Sequence, residues 1–201
     1  MTRPADRSEA LFARQAERQE AALAVLADLD LLARLGEIGR PVVTGSLALG
    51  LMVRPDIDVT TLCPTLDPGP IFDAVRPLVL HPRVHRLAFR NDTGRWNTDP
   101  DYPDGLYWTV RYRSDDGEDW NLDLWFLPAG TTQFDLQHLE ALPPRLTPET
   151  RVAILDIKEA WRDRASYGAT VRGYDVYAAV LDHGIRTPDA FAAHLRERAR
   201  T

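Results

Sequence analysis

The chain has 201 residues, a hydrophobic fraction of 44%, a charged fraction of 27% and 15 dispersed prolines, which excludes a disordered or collagen-like polypeptide. A formal net charge of −6 argues against unaided wrapping of a polyphosphate backbone, which needs a dense positive field, although a nucleotide can still bind locally. No stretch approaches the roughly 20 apolar residues of a membrane-spanning helix, and the opening segment lacks a secretory apolar run, so a cytoplasmic protein is expected.

In chain order, Ser8 to Leu35 is rich in alanine and leucine and free of proline, which predicts one or two helices with Ser8 as N-cap and Gly36 and Gly39 as the stop. Pro41 to Thr44 then reads as a short strand, Gly45-Ser46 as a turn opening a short helix, and DIDVTTLC as a second strand. Pro70 to Leu80 is expected to be helical and Val84 to Arg90 to be extended. Leu106 to Arg113 and Trp120 to Leu127 flank the turn pair Asp116-Gly117, which predicts an antiparallel hairpin. After ALPPRLTPE the pattern turns helical: Pro148 to about Ala165, Arg172 to His183, and a last helix opened by Thr187-Pro188 after a Gly184 C-cap. The single cysteine, Cys63, has no partner for a disulfide and is expected to be a small buried hydrophobe.

The chemistry concentrates in three places. Asp56 and Asp58 are two apart on a strand, so they share one face with Cα atoms roughly 6.6 Å apart, while Ile57 and Val59 face a core. Two carboxylates on one face repel unless a divalent cation lies between them, and magnesium, a hard ion held by carboxylates and substrate phosphates, suits them. Asp123 is a lone charge in an apolar strand, where Leu122, Leu124 and Phe126 share one face and Asn121, Asp123 and Trp125 the other. If the two strands are neighbours, three carboxylates converge and can hold two ions about 3.5–4 Å apart. Gly45-Ser46 follows an apolar strand and opens a helix, which places backbone N–H groups and a hydroxyl to hold a phosphate, with Gly50 as a further point of close approach.

These residues resemble the nucleotidyltransferase superfamily, whose fold is like the catalytic part of DNA polymerase β, and in particular its small bacterial members such as the aminoglycoside and lincosamide nucleotidyltransferases. The likeness lies in VVTGSLALG, DID and NLDLW, between about Pro41 and Leu127; Pro55 departs from it, since many members have serine before the first acid. It implies an α+β fold with a mixed sheet flanked by helices, an N-terminal helix and a C-terminal helical segment, with residues 1–145 as catalytic domain and 146–201 as the helical segment. Asp56, Asp58 and Asp123 would then be the catalytic and magnesium-binding residues, and Gly45 and Ser46 would hold the triphosphate.

Lys158 is the one lysine among 24 cationic residues. On the helical wheel it lies between Ile154 and Leu155, within the apolar face, where a lysine must meet an anion or snorkel to water. By the same resemblance it would touch the nucleotide's phosphates.

Other signals weigh less. NTDPDYPDG fails as a calcium loop, because Asp104 stands where the glycine belongs when Asp99 and Asp101 are counted as ligands, and Val110 where the glutamate belongs. It is expected to be a solvated loop near the site, suited to a cationic acceptor. Pro77 and Pro82 make a regular helix, and hence a zinc pair, unlikely for His81 and His85. His138, His183 and His194 show no obvious partners. Tyr174 and Tyr177 are three apart on one helical face and are expected to pack in a core, with Asp175 near enough to pair with Lys158 or an arginine.

The expected activity is magnesium-dependent transfer of a nucleoside monophosphate, AMP from ATP, to the hydroxyl of a small-molecule or cationic acceptor, with two magnesium ions and release of pyrophosphate. The alternative is a non-catalytic binding module of the same fold, an antitoxin-like partner of another protein.

Overall fold

The computed structural model describes residues 4–99 and 102–199, so Asp101 lies outside it. Helix α1 (Pro4–Asp28) begins ahead of Ser8, which sits within the helix instead of capping it. A proline in the first helical turn has no N–H to lose, so the entry falls at Pro4. Asp30, with φ at 48°, breaks the chain into α2 (Leu31–Gly36).

Five strands follow in the order β1 (Arg40–Thr44), β2 (Asp56–Cys63), β3 (Val84–Asp92), β4 (Gly105–Arg113) and β5 (Asp119–Pro128). Between them lie α3 (Gly45–Leu49) after β1 and α4 (Pro68–Val79) after β2. In space the order is β1-β2-β5-β4-β3, with β2 and β5 parallel and every other pair antiparallel. The β4–β5 hairpin, closed by Gly117 at φ 86°, thus inserts β5 beside β2 and sets Asp58 opposite Asp123 and Asp56 opposite Asn121. This mixed sheet flanked by helices is the α+β architecture that the sequence implied.

Period-two alternation decides which face is buried. Ile57, Val59, Leu122, Leu124 and Phe126 are almost fully buried against a core completed by α1, α2 and α4. Each such side chain contributes roughly 1.5–3 kcal/mol on burial. Cys63 belongs to the same core.

Helix α5 (Phe134–Ala141), which the sequence pattern did not predict, buries none of its residues fully and carries only a weak apolar stripe. Helices α6 (Pro148–Trp161), α7 (Gly173–Leu181) and α8 (Pro188–Arg198) close the chain. Thr147 and Thr187 cap α6 and α8 by accepting from the N–H groups of Thr150 (3.3 Å) and Ala190 (3.2 Å). Their apolar faces meet Leu11, Leu51 and Val53 in a second core with Ile154, Ile157 and Phe191.

The histidines serve surface contacts. His81 faces Asp28 (3.4 Å) and His85 faces Asp119 (3.1 Å), so the two do not share a ligand. His183 and His194, for which the sequence offered no partner, lie ring to ring at 4.7 Å.

Candidate active site

A cleft of about 1050 Å³ separates the polar face of the sheet from α6 and α7. Gly45, Ser46, Asp56, Asp58, Asp123 and Lys158 all line it, so the residues singled out in the sequence are brought together on one surface.

Strand pairing positions the acids. Asn121 Nδ2 donates to Asp56 Oδ1 at 2.7 Å, and the Tyr107 hydroxyl donates to Asp123 Oδ1 at 2.6 Å. Asp58 receives no hydrogen bond from any described residue. Burial pushes the Asp58 carboxyl well above the usual carboxylate range, and the neighbouring charges of Asp56 and Asp123 push the same way. Asp56 is raised for the same reasons, burial first and then Asp123, with the Asn121 hydrogen bond opposing. The carboxylates are therefore a concentration of negative charge in low dielectric, favourable only when cations enter.

The turn after β1 is shaped around that charge. Gly45 has φ of +61°, and a Cβ there would lie 2.1 Å from Asp58 Oδ2. Only glycine fits both the left-handed backbone and the approach to the acid. Gly50 makes its close approach elsewhere: a Cβ there would lie 2.7 Å from Arg151 Nη2, which donates to the Gly50 carbonyl at 2.7 Å.

Lys158 is 3% exposed. Its Nζ donates to the Leu51 carbonyl at 2.5 Å and to the Tyr177 hydroxyl at 3.2 Å. Burial draws its pKa down to about 8, against the upward pull of Asp58 and Asp56. Asp175 does not pair with it: that carboxylate accepts from the Arg172 N–H at 2.8 Å and meets Arg198 at 3.2 Å.

Several cleft residues escaped the sequence reading. Tyr107 lines the cleft and, with Thr109 behind it, alternates with Leu106, Trp108 and Val110 on β4, so its face follows from the hairpin register, the one signal that could have found it. Thr109 Oγ1 donates to the Tyr107 hydroxyl at 3.3 Å, leaving the phenol proton for Asp123. Tyr177 packs in the core as expected, but Tyr174 is 52% exposed, because α7 turns it toward the cleft, where it stacks on His138 at 5.1 Å. In the acid-rich loop, Asp99 lines the cleft, whereas Asp104 braces the loop by accepting from the Gly94 N–H at 2.9 Å.

The donor set fits magnesium. It consists of hard oxygens, and a further oxygen that lines the cleft, Thr44 Oγ1, is buried without a hydrogen-bond partner. Among the described residues no three acid, histidine or cysteine side chains are closed into a metal cage. Magnesium is ordinarily held by one or two carboxylates together with waters and substrate phosphates, so a ready-made cage is not required.

No protein-family model matches the sequence, and no curated protein matches it. Solved structures do match. A variant of the Cid1 poly(U) polymerase bound to MgATP aligns with a TM-score of 0.60 at 15% identity, over 87% of this chain and 54% of that one. Cid1 in complex with its short product ApU gives 0.58 at 15%, over 87% and 53%. A cytoplasmic RNA terminal U-transferase gives 0.56 at 14%, over 88% and 51%. Among the described residues no helix is long and apolar enough to cross a membrane. The chain spans about half the length of these matched proteins and shares their fold over that part.

Proposed function

We propose that the protein is a magnesium-dependent nucleotidyltransferase that transfers a nucleoside monophosphate, AMP from ATP, to a hydroxyl of a small-molecule acceptor and releases pyrophosphate. The observation that carries this reading is the meeting of Asp56, Asp58 and Asp123 in one cleft with the Gly45-Ser46 turn and a buried lysine. The MgATP bound by the Cid1 variant of the same fold supports the metal and the triphosphate. The net charge of −6 supports a small acceptor over a long nucleic acid, although the matched proteins include an RNA terminal U-transferase.

Asp56, Asp58 and Asp123 would hold the magnesium. When bound, the metal would supply charge neutralisation at the α-phosphate and the leaving group and would lower the pKa of the attacking hydroxyl. Gly45 and Ser46 bind the triphosphate, and Lys158, protonated at neutral pH, places its charge against the phosphate oxygens. Asn121 orients Asp56. Tyr107 occupies Oδ1 of Asp123 and leaves Oδ2 to receive the proton of the acceptor hydroxyl. Tyr174, backed by His138, offers a flat face for the nucleobase.

The test is magnesium-dependent release of pyrophosphate from ATP over a panel of hydroxyl acceptors. Asp58→Asn and Asp123→Asn are expected to fold and to lose at least about 10²-fold in rate, the scale of removing preorganised charge stabilisation. Wild-type rates in either variant would overturn the reading. Nucleotide binding without metal dependence and without pyrophosphate release would instead mark a non-catalytic module.

A further inference from the structure

A second cleft, of about 550 Å³, is lined by Arg18, Arg54, Arg162 and Arg164 with the acids Glu118 and Asp163. Two of the arginines are matched by carboxylates: Arg18 pairs with Glu118, and Arg162 with Glu159 (3.5 Å) and Asp163 (3.4 Å). The other two have no carboxylate partner among the described residues. Arg54 donates to the Tyr167 carbonyl at 3.0 Å and lies 5.7 Å from the centre of its ring. Arg164 lies 4.2 Å from the centre of the Trp161 ring. Both guanidinium groups thus lie against aromatic faces and neither makes an ion pair among the described residues, although the Arg54 charge also acts on the nearby Asp56, an arrangement suited to the oxygens of a phosphate.

The two clefts share a wall. Val53, Arg54 and Tyr167 line both, and Arg54 stands two residues ahead of Asp56. A molecule anchored against Arg54 and Arg164 can therefore extend along that wall to the carboxylates. The volume is that of a small-ligand pocket, whereas a polynucleotide would call for a longer positive stripe.

We infer that the arginine cleft binds a phosphate group of the acceptor, which is a phosphorylated small molecule with a free hydroxyl. The acceptor role rests on the nucleotidyl-transfer reading; the anion site does not. In the reaction the acceptor oxygen forms a bond to the α-phosphorus, the α–β bridging bond breaks to release pyrophosphate, and the hydroxyl proton passes to Asp123. The inference takes the small-molecule acceptor expected from the sequence and gives it a phosphate in place of a cationic group.

The probes are ribose 5-phosphate and unphosphorylated ribose, titrated calorimetrically into the full chain without magnesium. The expected result is one site for ribose 5-phosphate, none for ribose, and at least tenfold weaker binding by Arg164→Glu, with an intermediate loss in Arg164→Gln. Both variants are expected to keep the wild-type melting temperature and MgATP affinity. Equal binding by wild type and Arg164→Glu, or no preference for the phosphorylated sugar, overturns the inference. Binding of a uridine oligonucleotide but not of ribose 5-phosphate overturns it in favour of RNA. If wild type binds ribose 5-phosphate but not MgATP, the acceptor role falls together with the nucleotidyl-transfer reading; the reverse outcome removes the arginine cleft alone.

Discussion

Asp28 and Asp58 are the same side chain in opposite settings. Asp28, at the end of α1, accepts from the Tyr112 hydroxyl at 2.7 Å and from Arg83 at 3.0 Å, with His81 at 3.4 Å. The Tyr112 hydrogen bond, and after it Arg83, hold its carboxyl below the usual range. Asp58 is raised by burial and by three like charges, Asp56, Asp123 and Asp135, and the cation acting against them is Lys158. A structural acid is folded together with its donors. Asp58 is folded without any, and Asp56 and Asp123 have one each, from Asn121 and Tyr107, which costs stability and leaves the site to be completed by what binds there.

Three experiments sharpen or break this contrast. The largest separation is in turnover: Asp28→Asn is expected to release pyrophosphate at close to the wild-type rate, while Asp58→Asn loses at least about 10²-fold. Equal losses would mean that both acids are structural. Next comes Tyr107→Phe, which removes one hydrogen bond to a charged group. About 1.5 kcal/mol, or roughly tenfold, is expected in kcat with little change in the KM for ATP. An unchanged kcat would show that the phenol does not set the orientation of Asp123.

The smallest effect is on stability in metal-free buffer. At pH 7 Asp28→Asn is expected to unfold about 1 kcal/mol more easily, a modest figure because the clamp is partly solvated. Asp58→Asn is expected to melt above wild type. The signs follow from the shifts: the folded value of Asp28 is depressed, so its contribution is present above 3.8 and lost as pH falls through the folded value. The folded value of Asp58 is raised, so its penalty is absent below 3.8 and grows as pH rises through the folded value. Both gaps therefore close in acid. Melting curves of the three proteins between pH 3 and pH 7 check this, and a lower melting point for Asp58→Asn at pH 7 would contradict it.

Much of this was legible in local pattern. Alternation placed Leu122 and Asp123 on opposite faces of β5, and Thr187-Pro188 marked the start of α8, whereas α7 ends at Leu181 with Asp182 as its C-cap, ahead of the Gly184 the sequence offered. What local pattern does not carry is long-range pairing. The parallel neighbour relation of β2 and β5, which brings Asp58 to Asp123, joins residues 65 apart in the chain and was a condition of the sequence argument, not a result of it. Tyr107 and Asn121 were missed for the same reason, since their partners become visible only once the register is known. Tyr174 was assigned to a core by its spacing from Tyr177, but spacing cannot tell which side of α7 opens on a cleft. Helix α5 buries no residue fully and rests on the second core through the partly buried Leu139, so its sequence left little periodic trace.

The central claim is that three carboxylates draw divalent metal and triphosphate into one site. Calorimetric titration of ATP into wild type and Asp58→Asn, with and without magnesium, tests it most directly. The site predicts binding at least tenfold tighter with magnesium in wild type and no magnesium effect in the variant. ATP affinity in wild type that is the same with and without magnesium would contradict it.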